Sequence, residues 1–147
     1  MNKHHHKSDF FIARLRGSEE VPPVRTNAIG FAQFKISSDE KSIRYQLEVN
    51  NLRNFTQAHI HIGERGENGP VVVFLFGPVD PGISVTQGVI EGTITKNDLV
   101  GPLSGKPLSA LIKLIRDGRT YVNAHTVQNP DGEIRGQIKP YQSKIKN

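Results

Sequence analysis

Hydrophobic and polar residues alternate along most of this chain, and a period of two residues is that of a β-strand with one buried face. The clearest case is Ile43-Arg44-Tyr45-Gln46-Leu47-Glu48-Val49, in which every second side chain is apolar. Turn sequences such as Asn50-Asn51 and Asn129-Pro130-Asp131-Gly132 separate the alternating runs. Such short strands and turns are typical of an all-β sandwich or barrel. We predict eight strands, near residues 9–16, 27–36, 42–49, 56–62, 71–76, 86–94, 119–125 and 133–138.

One segment has a different period. Pro107 suits the first turn of a helix, and Gly118 suits its end. The apolar residues between them recur at helical spacing, and they are Leu108, Leu111, Ile112 and Ile115. We therefore predict one short helix near residues 107–117, which caps one end or edge of the sheets.

The length of 147 residues fits a single domain, which we predict over residues 9–139. Flexible basic tails are predicted at residues 1–8, which include His4-His5-His6, and at residues 140–147. The formal net charge is +5, and five lysines near the two ends account for it: Lys3, Lys7, Lys139, Lys144 and Lys146. A nucleic-acid-binding protein concentrates its basic residues on a folded face, so we expect no specific nucleic-acid binding.

The composition also excludes several classes of chemistry. The chain has no cysteine, which rules out disulfides, thiol catalysis and cysteine-ligated zinc. No window of about 18 apolar residues occurs, so we expect no membrane span. The N-terminus has no apolar segment typical of a secretory signal, so a cytoplasmic location is the default expectation.

Three histidines form the candidate site. Because side chains alternate between the two faces of a strand, His59 and His61 share one face of their strand. By the same rule His125 shares a face with Tyr121 and Asn123. Neutral imidazole suits copper and zinc, and three histidines with an open position are a known metal-site pattern. We predict that His59, His61 and His125 form a copper or zinc site.

The histidines and the polar residues near them each have a second interpretation. Without a metal, the histidines would occupy a solvated or polar sheet face and hydrogen-bond to Gln57 or Asn123. Arg135 either lines the site and attracts anions or forms a structural salt bridge with an acid such as Glu20 or Glu133. Glu20 is a weak candidate for a metal ligand. It is expected to pair with a basic group or to cap a backbone amide.

The chain resembles the CHRD domain family, a module first described in chordin and widespread in bacteria. The resemblance implies an all-β, immunoglobulin-like Greek-key sandwich and, by analogy, a cell-surface or coat location for a bacterial member. It covers about residues 10–138, and six segments in family order carry it. They are Glu20-Val21-Pro22-Pro23-Val24, Thr56-Gln57-Ala58-His59-Ile60-His61-Ile62-Gly63, Asn68-Gly69-Pro70-Val71-Val72-Val73, Ile94-Thr95-Lys96-Asn97-Asp98-Leu99, Tyr121-Val122-Asn123-Ala124-His125-Thr126 and Asn129-Pro130-Asp131-Gly132-Glu133-Ile134-Arg135-Gly136-Gln137-Ile138.

The histidine segments are also similar to those of copper/zinc superoxide dismutase. That resemblance implies that His59, His61 and His125 are copper ligands and that Arg135 is the arginine that guides the anion. The chain departs from the pattern because it has no bridging histidine, no zinc-ligand loop and no cysteine pair.

From these observations we expect a non-enzymatic CHRD-type binding or structural module with a three-histidine copper or zinc site. Two alternatives stay open. One is a copper-dependent metalloenzyme similar to superoxide dismutase, and the other is a purely structural surface or coat protein without a metal. The expected partner is an unidentified protein or surface, and a homo-oligomer is also compatible with the sequence.

Overall fold

Eight strands and one helix make up residues 9–141, the part of the chain that the computed structural model describes. Short 3-10 turns lie at Gly17–Glu19, Lys96–Asp98 and Gly101–Leu103. The strands are β1 (Phe10–Arg16), β2 (Ile29–Ile36), β3 (Ile43–Ile62), β4 (Val71–Phe76), β5 (Ile83–Ile94), β6 (Thr120–Thr126), β7 (Ile134–Gln137) and β8 (Lys139–Pro140), and the helix is α1 (Leu108–Arg116).

Five of the strands close into a barrel. In the ring, β1 pairs with β2, β2 with β3, β3 with β6, β6 with β7, and β7 returns to β1. The three remaining strands extend this ring, because β4 and β5 pair with β3 and β8 pairs with β1. Every pairing is antiparallel, and the all-β class predicted from the alternation is confirmed.

The 20-residue strand β3 corrects one part of the prediction. The expected turn at Asn50-Asn51 is wrong, since the predicted strands 42–49 and 56–62 are one strand. Asn51 and Asn54 take φ values of 56°, a left-handed conformation that asparagine tolerates better than most residues. The chain therefore bends while β5 stays paired across Asn50 and Leu52. This bend lets the first half of β3 pair with β2 and the second half with β6.

The core combines the inner faces of the strands with one face of α1. The predicted helix is confirmed to within one residue at each end, and Gly118 follows it with a φ of 75°. The four residues at helical spacing are buried in the same core cluster as the strands: Leu108, Leu111, Ile112 and Ile115. Among residues 9–141, no helix is long and apolar enough to cross a bilayer.

The two ends of the described chain lie side by side. Lys139 pairs with Ile12, and the N–H of Tyr141 donates to the carbonyl oxygen of Phe10 at 2.9 Å. Residues 140 and 141, which we predicted to begin the C-terminal tail, thus lie alongside β1. The rest of the predicted tails, residues 1–8 and 142–147, lies outside the described residues.

Candidate metal centre

The pairing of β3 with β6 brings the three histidines together. In this register His59 lies opposite Asn123, and His61 lies opposite Tyr121. His125 lies opposite Gln57, two residues further along β6. One nitrogen of each imidazole lies within 4.8 Å of the others. The side chains are only 4%, 7% and 8% exposed for His59, His61 and His125, so the cluster is buried rather than on a solvated face.

Backbone carbonyls determine which nitrogen carries the proton in two of the rings. His61 Nδ1 lies 2.9 Å from the carbonyl oxygen of Gly69, and His125 Nδ1 lies 2.8 Å from that of Pro130. A carbonyl oxygen can only accept, so each Nδ1–H is the donor. In the neutral rings Nε2 therefore carries a lone pair.

The inward-facing nitrogens meet further acceptors rather than donors. His61 Nε2 and His125 Nε2 lie 2.8 Å and 2.9 Å from Oδ1 of Asn123. His59 Nε2 faces Oε1 of Gln57 at 3.0 Å, so its N–H donates outward, and its Nδ1 lies 3.1 Å from His125 Nε2. Three imidazole lone pairs and one amide oxygen thus converge on one buried point.

Burial keeps the three imidazoles neutral at physiological pH. Desolvation, followed by the nearby His125 and His61, lowers the pKa of His59 to about 3. Burial is also the main reason why the pKa values of His61 and His125 are lowered. A neutral ring is the form that can bind a metal ion, so the environment favours the ligand state.

An aromatic ring supports one side of the cluster. The rings of His61 and Tyr121 are stacked, with centroids 4.7 Å apart and planes 7° from parallel. Arg135 Cζ lies 3.5 Å from the centroid of the same tyrosine ring. The Tyr121 hydroxyl accepts the N–H of Gly69 at 3.1 Å, which holds the carbonyl partner of His61 in place. Tyr121 therefore connects the cluster with the loop of residues 63–70.

Arg135 anchors that loop. It is 1% exposed and donates to Oδ1 of Asn68 at 3.1 Å. It also donates to the backbone carbonyls of Glu64 and Glu67, at 3.0 Å and 2.7 Å. These bonds replace the salt bridge that we considered with Glu20 or Glu133.

Glu133 is the common acceptor of a separate cluster of hydrogen bonds that the sequence did not predict. It accepts hydrogen bonds from Thr26 Oγ1 at 2.6 Å and Thr126 Oγ1 at 2.8 Å. The amides of Gln128 and Asn129 donate to it at 2.9 Å and 3.0 Å. Burial alone would raise its pKa, but the four donors outweigh burial and the pKa is lowered. No signal in the sequence distinguishes this glutamate from exposed ones.

Glu20 lies beside Asn123 on the far side from the histidines. It is 5% exposed, and within residues 9–141 its Oε2 atom has no hydrogen-bond partner. Burial raises its pKa to about 7, and this rise is opposed by the charge of Arg135 and by the neighbouring Asn123 amide. It does not lie among the clustered histidine nitrogens that can hold a metal.

The fold and the site together define a small β-barrel domain with a buried cluster of three histidines. The family follows from the chain itself, because the CHRD domain model matches residues 11–138. The chain therefore belongs to the CHRD domain family, as its six sequence segments predicted. No curated protein matches the chain.

Proposed function

We propose that this protein is a non-enzymatic CHRD-type binding module that holds one copper or zinc ion on His59, His61 and His125. The observation that carries the proposal is the direction of the lone pairs. Each imidazole donates its N–H outward, and the remaining nitrogens face one another within 4.8 Å. A cation is the partner that such a set of acceptors lacks.

The groups around the histidines support this assignment. Ligating histidines usually donate their second ring N–H to a carboxylate, a backbone carbonyl or water, which fixes the ring orientation. Gly69 and Pro130 supply such carbonyls to His61 and His125. Nitrogen ligands suit copper and zinc, whereas calcium and magnesium prefer sites built from oxygen.

The superoxide dismutase-like alternative has weaker support. An arginine that guides an anion needs a guanidinium that solvent can reach, but the one on Arg135 is buried and bound to the loop. Binding without turnover is therefore the better proposal. The immunoglobulin-like Greek-key topology, the bacterial origin and the surface or coat location remain expectations from family analogy.

Metal binding to the 147-residue chain tests the proposal. His4, His5 and His6 are replaced by alanine in the parent protein, so that the tail cannot bind metal. We expect one equivalent of Zn²⁺ or Cu²⁺ by chelator competition and elemental analysis. His125→Gln and His59→Gln should each remove this binding, because two imidazoles remain. Unchanged stoichiometry in both variants would show that the cluster is not the ligand set.

A further inference from the structure

We infer that Asn123 is the fourth ligand of this centre, through Oδ1, and that Glu20 is the residue that positions its amide. This inference rests on the proposed function and deepens it, since it assigns the coordination number and the residue that controls it. The resulting site has three nitrogens and one amide oxygen.

The surroundings of Asn123 Oδ1 carry the first step. Asn123 is 3% exposed, and its Oδ1 lies 2.8 Å from His61 Nε2 and 2.9 Å from His125 Nε2. Both nitrogens are acceptors, because each ring has its proton on Nδ1 and donates it to a backbone carbonyl. An amide oxygen held against two lone pairs is repelled, unless a cation lies among them.

Three separations among the four atoms are close to those around a tetrahedral ion. Metal–ligand distances of about 2.0–2.1 Å place neighbouring ligand atoms roughly 3.3 Å apart in a tetrahedron. The separations between Oδ1 and the two Nε2 atoms are 2.8 Å and 2.9 Å, and that between His59 Nδ1 and His125 Nε2 is 3.1 Å. These three pairs would need to open by a few tenths of an ångström, and the histidine nitrogens as a set lie within 4.8 Å of one another.

Glu20 explains why the amide oxygen faces the histidines. Asn123 Nδ2 and Glu20 Oε2 both lie against Gly132, so the amide nitrogen is directed to the Glu20 side and away from the histidines. Gly132 leaves room for this contact, since a Cβ there would collide with both Glu20 Oε2 and Asn123 Nδ2. A buried acceptor on one side thus fixes the acceptor on the other side.

The reversed amide is the competing arrangement. With oxygen and nitrogen exchanged, the Asn123 NH₂ group would donate to the two Nε2 atoms, and Oδ1 would face a protonated Glu20. Asn123 would then be a hydrogen-bond donor and not a ligand. The two arrangements predict opposite effects of aspartate at this position, because aspartate can bind a cation but cannot donate an N–H.

Co²⁺ is the probe, because its visible absorption reports coordination number. The parent is the 147-residue chain with His4, His5 and His6 replaced by alanine, and four-coordinate absorption is expected for it. Asn123→Ala and Asn123→Asp are compared in a Glu20→Gln background, which removes carboxylate repulsion. We expect alanine to lower Co²⁺ affinity 10–100-fold and to change the spectrum, whereas aspartate retains or exceeds the affinity of that background.

The positioning role of Glu20 is measured separately. Glu20→Met removes the acceptor and should lower Co²⁺ affinity about 10-fold, whereas Glu20→Gln keeps an acceptor and should restore it. Circular dichroism checks that each variant is folded. Equal affinity in the methionine and glutamine variants would refute the role of Glu20.

The outcomes separate this inference from the proposed function. If the parent binds Co²⁺ and Asn123→Ala leaves affinity and spectrum unchanged, or if Asn123→Asp loses as much affinity as alanine, Asn123 is not a ligand. A six-coordinate parent spectrum contradicts the inference without any variant. A parent that binds no Co²⁺, Zn²⁺ or Cu²⁺ refutes the proposed function as well.

Discussion

Replacing Glu20 with glutamine should make the protein more stable at high pH relative to the wild type. The pKa of Glu20 is raised from 4.5 to about 7, so between these values the folded protein binds more protons than the unfolded chain. Stability from this group is present in full below pH 4.5 and is lost as the pH rises through about 7. Glutamine cannot ionise and avoids this loss.

The size of the effect follows from the two pKa values. Between pH 5 and pH 8 the wild type should lose about 2.5 kcal/mol of unfolding free energy through Glu20 alone. The buried histidines act in the opposite direction, because their lowered pKa values make the folded state lose stability on acidification. Comparing variant with wild type at each pH cancels the histidine contribution.

Urea denaturation of the metal-free protein, with chelator present at pH 5 and pH 8, measures this difference. The free energy of unfolding of Glu20→Gln minus that of wild type should be about 2.5 kcal/mol more favourable at pH 8 than at pH 5. Glu91→Gln serves as the control, since that carboxylate is exposed, and its difference should stay nearly constant. A Glu20→Gln difference that changes by less than about 0.5 kcal/mol would contradict the reasoning.

Three further substitutions test the packing around the site. Gly132→Ala should destabilise the fold by about 1–3 kcal/mol in thermal or urea unfolding. The reason is that the φ of Gly132 is 122° and the new Cβ would collide with Glu20. An unchanged unfolding midpoint would contradict that geometry. Tyr121→Phe removes the acceptor of the Gly69 N–H, so we expect a loss of about 1 kcal/mol and faster amide exchange at Gly69, and unchanged exchange would argue against this contact. Leu111→Ala should lower the free energy of unfolding in urea by about 2–5 kcal/mol, since Leu111 is fully buried between the helix and the barrel. A decrease below about 1 kcal/mol would mean that α1 is loosely packed.

Much of the fold could be predicted because several strands of the barrel have one solvent-exposed face and one buried face. In such a sheet the period of two residues is visible in the sequence, as in the run from Ile43 to Val49. The same rule placed His59 and His61 on one face of their strand, and His125 with Asn123 on one face of a second strand. Because β3 pairs with β6, these two strand faces lie side by side on the same face of the sheet and form one site.

Other features depend on contacts that a single strand does not encode. The continuity of β3 through Asn51 and Asn54 could not be predicted, because an asparagine pair normally signals a turn and only pairing with β5 keeps the strand extended. The carbonyl partners of His61 and His125 were also invisible, since any residue has a carbonyl. For the same reason the sequence suggested an anion or a carboxylate as the partner of Arg135, whereas its main acceptors are backbone groups.

A comparison of two buried polar clusters argues for an ion at the histidines. Around Glu133 every contact joins a donor to an acceptor, and the carboxylate is satisfied without further partners. With Oδ1 of Asn123 facing the histidines, the contacts around it join acceptors to acceptors, an arrangement that buried groups normally avoid. If packing were the only requirement, apolar residues would fill this space at lower cost. A cation at 1,000 times its dissociation constant would stabilise the folded state by about 4 kcal/mol and so offset part of this cost.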